Sequence, residues 1–213
     1  MQAIDVRMEG KSVIIGMLLV YYICVSMGNK ELYSIGHGTR KIEDFLVLLK
    51  KFDIHYLIDV RSQPYSKFNP QFNQAPLQFY LKEHKVTYVF MGDALGGRPE
   101  DKSCYDEEGK VDYTKIKEME FYKEGLTRLK KAYQKGKGVA IMCSESKPTE
   151  CHRSKLIGMS LLEDESEKII LRHIDEKGKV KAQATVMNEL NKGLGNRDLF
   201  NHTSNTTSRK SYA

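Results

Sequence analysis

Beyond residue 30 the chain alternates between short apolar runs and longer stretches whose apolar positions recur at helical spacing. The runs at 32–35, 55–60, 86–91, 138–142 and 169–174 carry little charge, as strands buried on both faces of a parallel sheet do. Between them the period lengthens. Ile42, Phe45, Leu46 and Leu49 fall on one helix face, with Thr39 as the expected N-cap. Pro76 suits the first turn of a helix carrying Leu77, Phe79, Tyr80 and Leu81. Further helices are predicted from about Thr114 to Gln134, over 156–162, and over 184–194. Repeated β–α alternation predicts an α/β fold: a three-layer sandwich with a mostly parallel central sheet.

The segments outside this pattern set the domain limits. Residues 31–194 form the predicted single α/β domain, and its loop from Gly92 to Asp112 is long enough to be functional. Residues 195–213 lack apolar periodicity and read as a disordered tail. Residues 12–29 contain no charged side chain and follow Arg7 and Lys11. Three readings of the 1–30 extension stand open: a start placed too early, with Met27 the true beginning; a membrane anchor; or an accessory helix.

Composition changes this picture only modestly. A chain of 213 residues with 40% hydrophobic and 29% charged residues has the length to bury a core and the balance of a globular protein. Net charge is +6, with lysines scattered along helices rather than packed in one block. Solvated helix faces explain most of that charge. A small anionic ligand or nucleotide is the partner it favours, and no zinc-finger or RNA-reading motif adds support for nucleic acid. Four cysteines at 24, 104, 143 and 151 lack the density of a disulfide scaffold, which points to a reduced, cytoplasmic setting.

Chemistry concentrates where the 138–142 strand hands over to the next helix. Cys143, Glu145, Cys151, His152 and Arg153 crowd into eleven residues there, the place where open α/β sheets bind ligands. A thiolate needs a lowered pKa, and Cys151 between a helix start and Arg153 meets that need. Glu145 and His152 are a candidate base and acid, or Glu145 simply accepts N–H groups of the following helix. Arg153 and the N–H groups of a helix starting near Thr149 form a candidate anion site. His37, Thr39, Asp59 and Arg61 lie at neighbouring strand ends as candidate substrate contacts, although Asp59–Arg61 also reads as a structural ion pair. Metal binding by Cys143, Cys151, His152 and His37 is the rival chemistry. Two things count against it: the lack of a close Cys-x-x-Cys pair, and the roughly 100° between adjacent helical residues Cys151 and His152.

Cys-x-Glu-x-x-Pro-x-x-Cys-His-Arg, read from Cys143 to Arg153, resembles the signature of the domain of unknown function 488 family. Tyr33-Ser-Ile-Gly-His37, Ile58-Asp-Val-Arg-Ser62, Phe68-Asn-Pro-Gln-Phe-Asn73 and Leu95-Gly-Gly-Arg98 agree with it. Gly38 departs from the pattern, where the family carries Ser or Asn, and Thr39 is the nearest hydroxyl. The resemblance implies an α/β fold and a common site. The placement of Cys143 also resembles that of the cysteine in rhodaneses and cysteine phosphatases, and Ile58-Asp-Val-Arg61 looks like the rhodanese Asp-x-Arg strand, but the 143–153 interval is about twice the compact cradle of those enzymes. No dinucleotide fingerprint or Walker loop is present. The leading expectation is therefore a hydrolase or group transferase acting on an anionic or phosphorylated substrate through the 143–153 loop. The alternative is a non-catalytic metal- or nucleotide-binding module using the same pocket.

Overall fold

A computed structural model describes residues 31–193 and 207–212. Six strands form one sheet: β1 (Leu32–Gly36), β2 (Ile54–Asp59), β3 (Thr87–Phe90), β5 (Gly138–Cys143), β6 (Leu171–Ile174) and β7 (Val180–Ala182). Their order is β3-β2-β5-β1-β6-β7, and only β7 runs antiparallel to its neighbour. The expected mostly parallel sheet covered by helices is what forms.

Alternation along each strand decides what it packs against. Val139, Ile141 and Cys143 of β5 join Leu32, Ile58 and Leu171 in one core, while Ala140 and Met142 join Ile35, Leu57 and Ile174 in the other. Helices α1 (Ile42–Lys51) and α2 (Gln74–Glu83) cover the second core with Phe45, Leu49, Leu77 and Leu81. On the opposite face lie α4 (Tyr113–Glu118), α5 (Glu120–Gln134) and α6 (Met159–Glu163), through Ile116, Leu129 and Leu161. A short α3 (Gly92–Leu95) follows β3, and α7 (Gln183–Gly193) follows β7.

Several expectations need correction. Thr39 is not an N-cap: α1 begins after Lys41, with no side-chain cap. The single helix predicted to start near Thr114 is two, because Met119 adopts extended backbone between α4 and α5. Asp112 starts α4 by accepting the backbone N–H groups of Thr114 and Lys115. The tail is not structureless throughout, since β8 (Thr207–Ser211) pairs antiparallel with β4 (Lys110–Asp112). Backbone hydrogen bonds make that pairing, so side-chain periodicity carried no sign of it. The 12–29 apolar run lies outside the described residues. Among the described residues no helix is long and apolar enough to cross a membrane.

Candidate functional site

Strand order places the site. β5 lies between β1 and β2, and its last residues sit level with theirs, Cys143 with Gly36 and Met142 with Asp59. The three chain segments leaving these carboxyl ends therefore converge, and backbone bonds lock them: His37 N–H to the Cys143 carbonyl, Gly38 N–H to Ser144, and Val60 N–H to Met142. Gly36 is glycine because the Glu145 carbonyl comes so near that an added Cβ would lie 1.8 Å from it. Two clusters of polar side chains grow from this junction.

The first is built around Arg61. Its Nε donates to Asp59 Oδ1 at 2.9 Å, one terminal nitrogen donates to Asp59 Oδ2 at 2.6 Å and to the Phe72 carbonyl at 2.8 Å, and the other meets His37 Nε2 at 3.3 Å. The Tyr88 hydroxyl adds a 2.9 Å bond to Asp59. His37 stacks on the Phe72 ring at 4.5 Å and is 2% exposed. Burial pushes its pKa down to about 4, and Arg61 adds to the depression, so the ring is neutral and Nε2 can accept. This pair is the structural ion pair of the two sequence readings, although Arg61 also reaches the pocket.

The second cluster carries the sulfurs. Glu145 Oε2 lies 2.9 Å from Cys143 Sγ and 3.4 Å from Cys151 Sγ. His152 Nδ1 is 3.7 Å from each sulfur, and its Nε2 donates to the Val60 carbonyl at 3.2 Å. In the neutral ring that bond fixes the tautomer, leaving Nδ1 as a lone pair beside the thiols. Cys143, Cys151 and His152 thus bring ligand atoms within 4.8 Å of one another and, among the described residues, could hold a metal. The angular objection to such a site fails. Cys151 is extended, ahead of the helix, so it and His152 do not share helical geometry. Gly97 leaves room for the imidazole, since a Cβ there would lie 2.9 Å from the ring.

The expected helix near Thr149 is a single 3₁₀ turn, Pro148–Glu150, followed by a π-helical segment, Arg153–Gly158. Such wide turns often accompany functional sites. Here the segment is buried along its whole length. Arg153 is not a ligand-facing anion binder, because it points inward with no exposed surface. Its Nε donates to Cys151 Sγ at 3.1 Å and its terminal nitrogens to the Glu145 carbonyl at 2.6 Å and Ser34 Oγ at 3.4 Å. Ser34 meets His173 Nδ1 at 2.6 Å, His173 Nε2 meets Gln183 Oε1 at 2.5 Å, and Gln183 Nε2 donates to the Ser154 carbonyl at 2.9 Å. His173, pushed down to about 4 by burial, serves this chain as a neutral ring.

The two thiols differ. Cys143 is held well above the ordinary range by its hydrogen bond to Cys151 and by burial. Burial also opposes ionisation of Cys151, but the Cys143 hydrogen bond, the Arg153 guanidinium and His152 outweigh it and bring its pKa well down. His152 rises despite burial, because the Cys151 thiolate lies beside it.

A pocket of about 140 Å³ opens over this cluster, lined by Arg61, Arg98, Cys143, Glu145, His152 and Tyr212 among others. Of the predicted site residues, Arg61, Cys143, Glu145 and His152 reach it. His37, Asp59, Cys151 and Arg153 do not line it but touch those that do. Thr39 is exposed on the turn after His37, is not among the lining residues, and gains no substrate role from its position. Sequence reasoning quoted Arg98 without a role and missed Tyr212, whose ring lies 4.2 Å from the Arg98 guanidinium carbon. Tyr212 is carried there by β8, and its N–H bonds the Gly109 carbonyl at 2.7 Å. Only the Gly-Gly-Arg98 block offered a sequence signal for this wall.

No curated protein and no solved structure matches the chain. Residues 41–159 match the family described as domain of unknown function DUF488. That stretch contains Asp59, Arg61, Arg98 and the whole segment from Cys143 to Arg153, and it covers more than half of the sequence: the chain belongs to the DUF488 family.

Proposed function

We propose that this protein is an enzyme, a hydrolase or group transferase, that binds a small anionic or phosphorylated group in the pocket above Cys143. The observation that carries this reading is the pocket's lining. Exposed Arg98 and the edge of Arg61, whose guanidinium is already paired with Asp59, line a space of about 140 Å³ together with an imidazole, a thiol and a carboxylate. Guanidinium forks suit phosphate and carboxylate oxygens. The pocket is smaller than those that enclose whole cofactors, about 300 Å³ and upward, so it fits an anionic head group better than a buried nucleotide. Glu145 and His152 lie within reach of anything seated against Cys143, as an acid–base pair must. Transfer of the bound group to water or a second acceptor is the reaction class these residues support.

Titration calorimetry with inorganic phosphate and a nucleoside monophosphate tests the binding half. Wild type is expected to bind, and exposed Arg98 changed to Ala is expected to weaken binding at least tenfold; equal affinity in both proteins, or none in either, overturns the reading. Release of phosphate from a panel of phosphomonoesters, abolished in Glu145→Ala, tests the catalytic half. Binding without turnover favours the non-catalytic module instead.

A further inference from the structure

We infer that Cys143, Cys151 and His152 form a binding site for one zinc-class divalent ion, with Glu145 as the exchangeable fourth ligand facing the pocket. The argument starts from lone pairs. Two sulfurs and one imidazole nitrogen gather within 4.8 Å of one another, with Glu145 Oε2 beside the sulfurs, and in the neutral ring His152 Nδ1 carries no proton because Nε2 holds it toward the Val60 carbonyl. Metal ligation requires the thiolates, and once both thiols lose the protons they now donate to Glu145, the acceptors gathered here repel one another unless a cation stands between them.

The spacing fits. Zinc bonds of about 2.3 Å to sulfur and about 2.0 Å to nitrogen, set tetrahedrally, put sulfur and nitrogen about 3.5 Å apart. Both sulfur-to-Nδ1 distances are 3.7 Å, the three ligand atoms lie within 4.8 Å of one another, and Glu145 Oε2 stands 2.9 and 3.4 Å from the sulfurs. The three ligands need little movement to admit the ion, and Glu145 must turn toward it to bind.

The outer contacts also fit. Metal-bound histidines usually donate their other nitrogen to a carbonyl or carboxylate, as His152 does to Val60. Metal-bound sulfurs accept N–H groups, and Cys151 receives both the backbone N–H and the Nε of Arg153, at 3.5 and 3.1 Å. Three protein ligands with a replaceable fourth position is the arrangement of reactive rather than purely structural zinc sites. Cys143, Glu145 and His152 line the pocket while Cys151 does not, so the ion's open side faces the space proposed for the anion. Its charge would offset Glu145, which otherwise opposes an anion there.

The test uses the full chain without a histidine tag. Protein stripped with a chelator is titrated with Zn²⁺ against a chromophoric competitor, and with Co²⁺ as the spectroscopic probe. Expected are one ion per chain and the near-ultraviolet sulfur-to-cobalt charge-transfer absorption of thiolate ligation. Cys151→Ser and His152→Ala should each weaken Zn²⁺ binding at least a hundredfold. Cys104→Ser, which removes the other described free thiol, should change nothing. Circular dichroism of each variant checks that it has folded. Should both ligand variants misfold, the wild-type cobalt spectrum and a change of its visible ligand-field bands in Glu145→Ala, with the sulfur-to-cobalt absorption kept, decide. Overturning results are a wild type without sulfur-to-cobalt absorption, affinities equal to that of folded Cys151→Ser, or a disulfide between Cys143 and Cys151 in protein purified under reducing conditions. The site stands apart from the anion reading: zinc uptake without phosphate binding would keep the ion and remove the substrate class.

Discussion

Two polar clusters sit side by side at the carboxyl end of the sheet, and they are built on opposite principles. Around Arg61, donors and acceptors match: the guanidinium finds two carboxylate oxygens, a carbonyl and a neutral imidazole, and Asp59 takes a phenol besides. Around Cys143 the match rests on two weak thiol donors, which Glu145 takes up while His152 Nδ1 stands beside both sulfurs. The first arrangement is complete within the protein, so its work is to hold strand ends together. The second is complete only while both thiols keep their protons; ionised, it becomes a surplus of acceptors. A buried polar group with a full set of partners is evidence of architecture, whereas a surplus of one kind is evidence of a ligand.

Breaking each cluster should therefore have different effects. Asp59→Asn leaves a buried guanidinium without its counter-charge, and a loss of about 3–5 kcal/mol is expected. For a chain of this size that lowers Tm by very roughly 10 °C; a melting curve unchanged within experimental error would mean that the cluster does not hold the junction.

Acid gives the next effect. His37 has its pKa lowered from 6.5 to about 4 in the fold, so the unfolded chain takes up a proton first as pH falls. Its contribution to stability is complete above pH 6.5 and is lost progressively down to about pH 4, by about 2–3 kcal/mol. His173 has its pKa lowered over the same window and adds to the loss. His37→Gln should flatten the fall in denaturant midpoint between pH 7 and 4.5, and an unaltered slope would assign the titration elsewhere.

The smallest stability change is expected where the sequence looks most reactive. Glu145→Gln should stay within about 1 kcal/mol of wild type in chelator, because an amide oxygen still accepts the thiol protons and no buried charge is stranded. The same variant should still lose zinc affinity, at least tenfold by competition titration. A large destabilisation in chelator would show the two clusters to be alike after all.

Much of this was legible in the chain. Uncharged runs marked the strands of the sheet core, and because parallel strands end on one side, His37, Asp59, Arg61 and Cys143 could be placed together before any coordinates. Direction was not legible. Arg153 is adjacent to His152 in sequence, yet one side chain turns into the core and the other toward the pocket, because backbone changes from extended at Cys151 to π-helical at Arg153. Nor was Tyr212, since a two-stranded pairing made by backbone groups leaves no period in its side chains. Spacing arguments failed for Cys151 and His152 for the same reason: they assumed a regular helix where the chain has none.

The chain of side chains behind the sulfurs has a consequence for proton traffic. It begins at Arg153, which only donates, and ends at the Ser154 carbonyl, which only accepts, with Ser34, His173 and Gln183 between them. Each bond in it therefore points one way, and reversing any of them would require the guanidinium to surrender a proton or the carbonyl to supply one. Such a wire is an insulator. A proton released or taken up at Cys143, Cys151 or His152 has no exit across the sheet by this route, whereas the pocket beside Arg98 and Tyr212 opens to solvent, so whatever fills that mouth slows the exchange of the sulfurs with solvent.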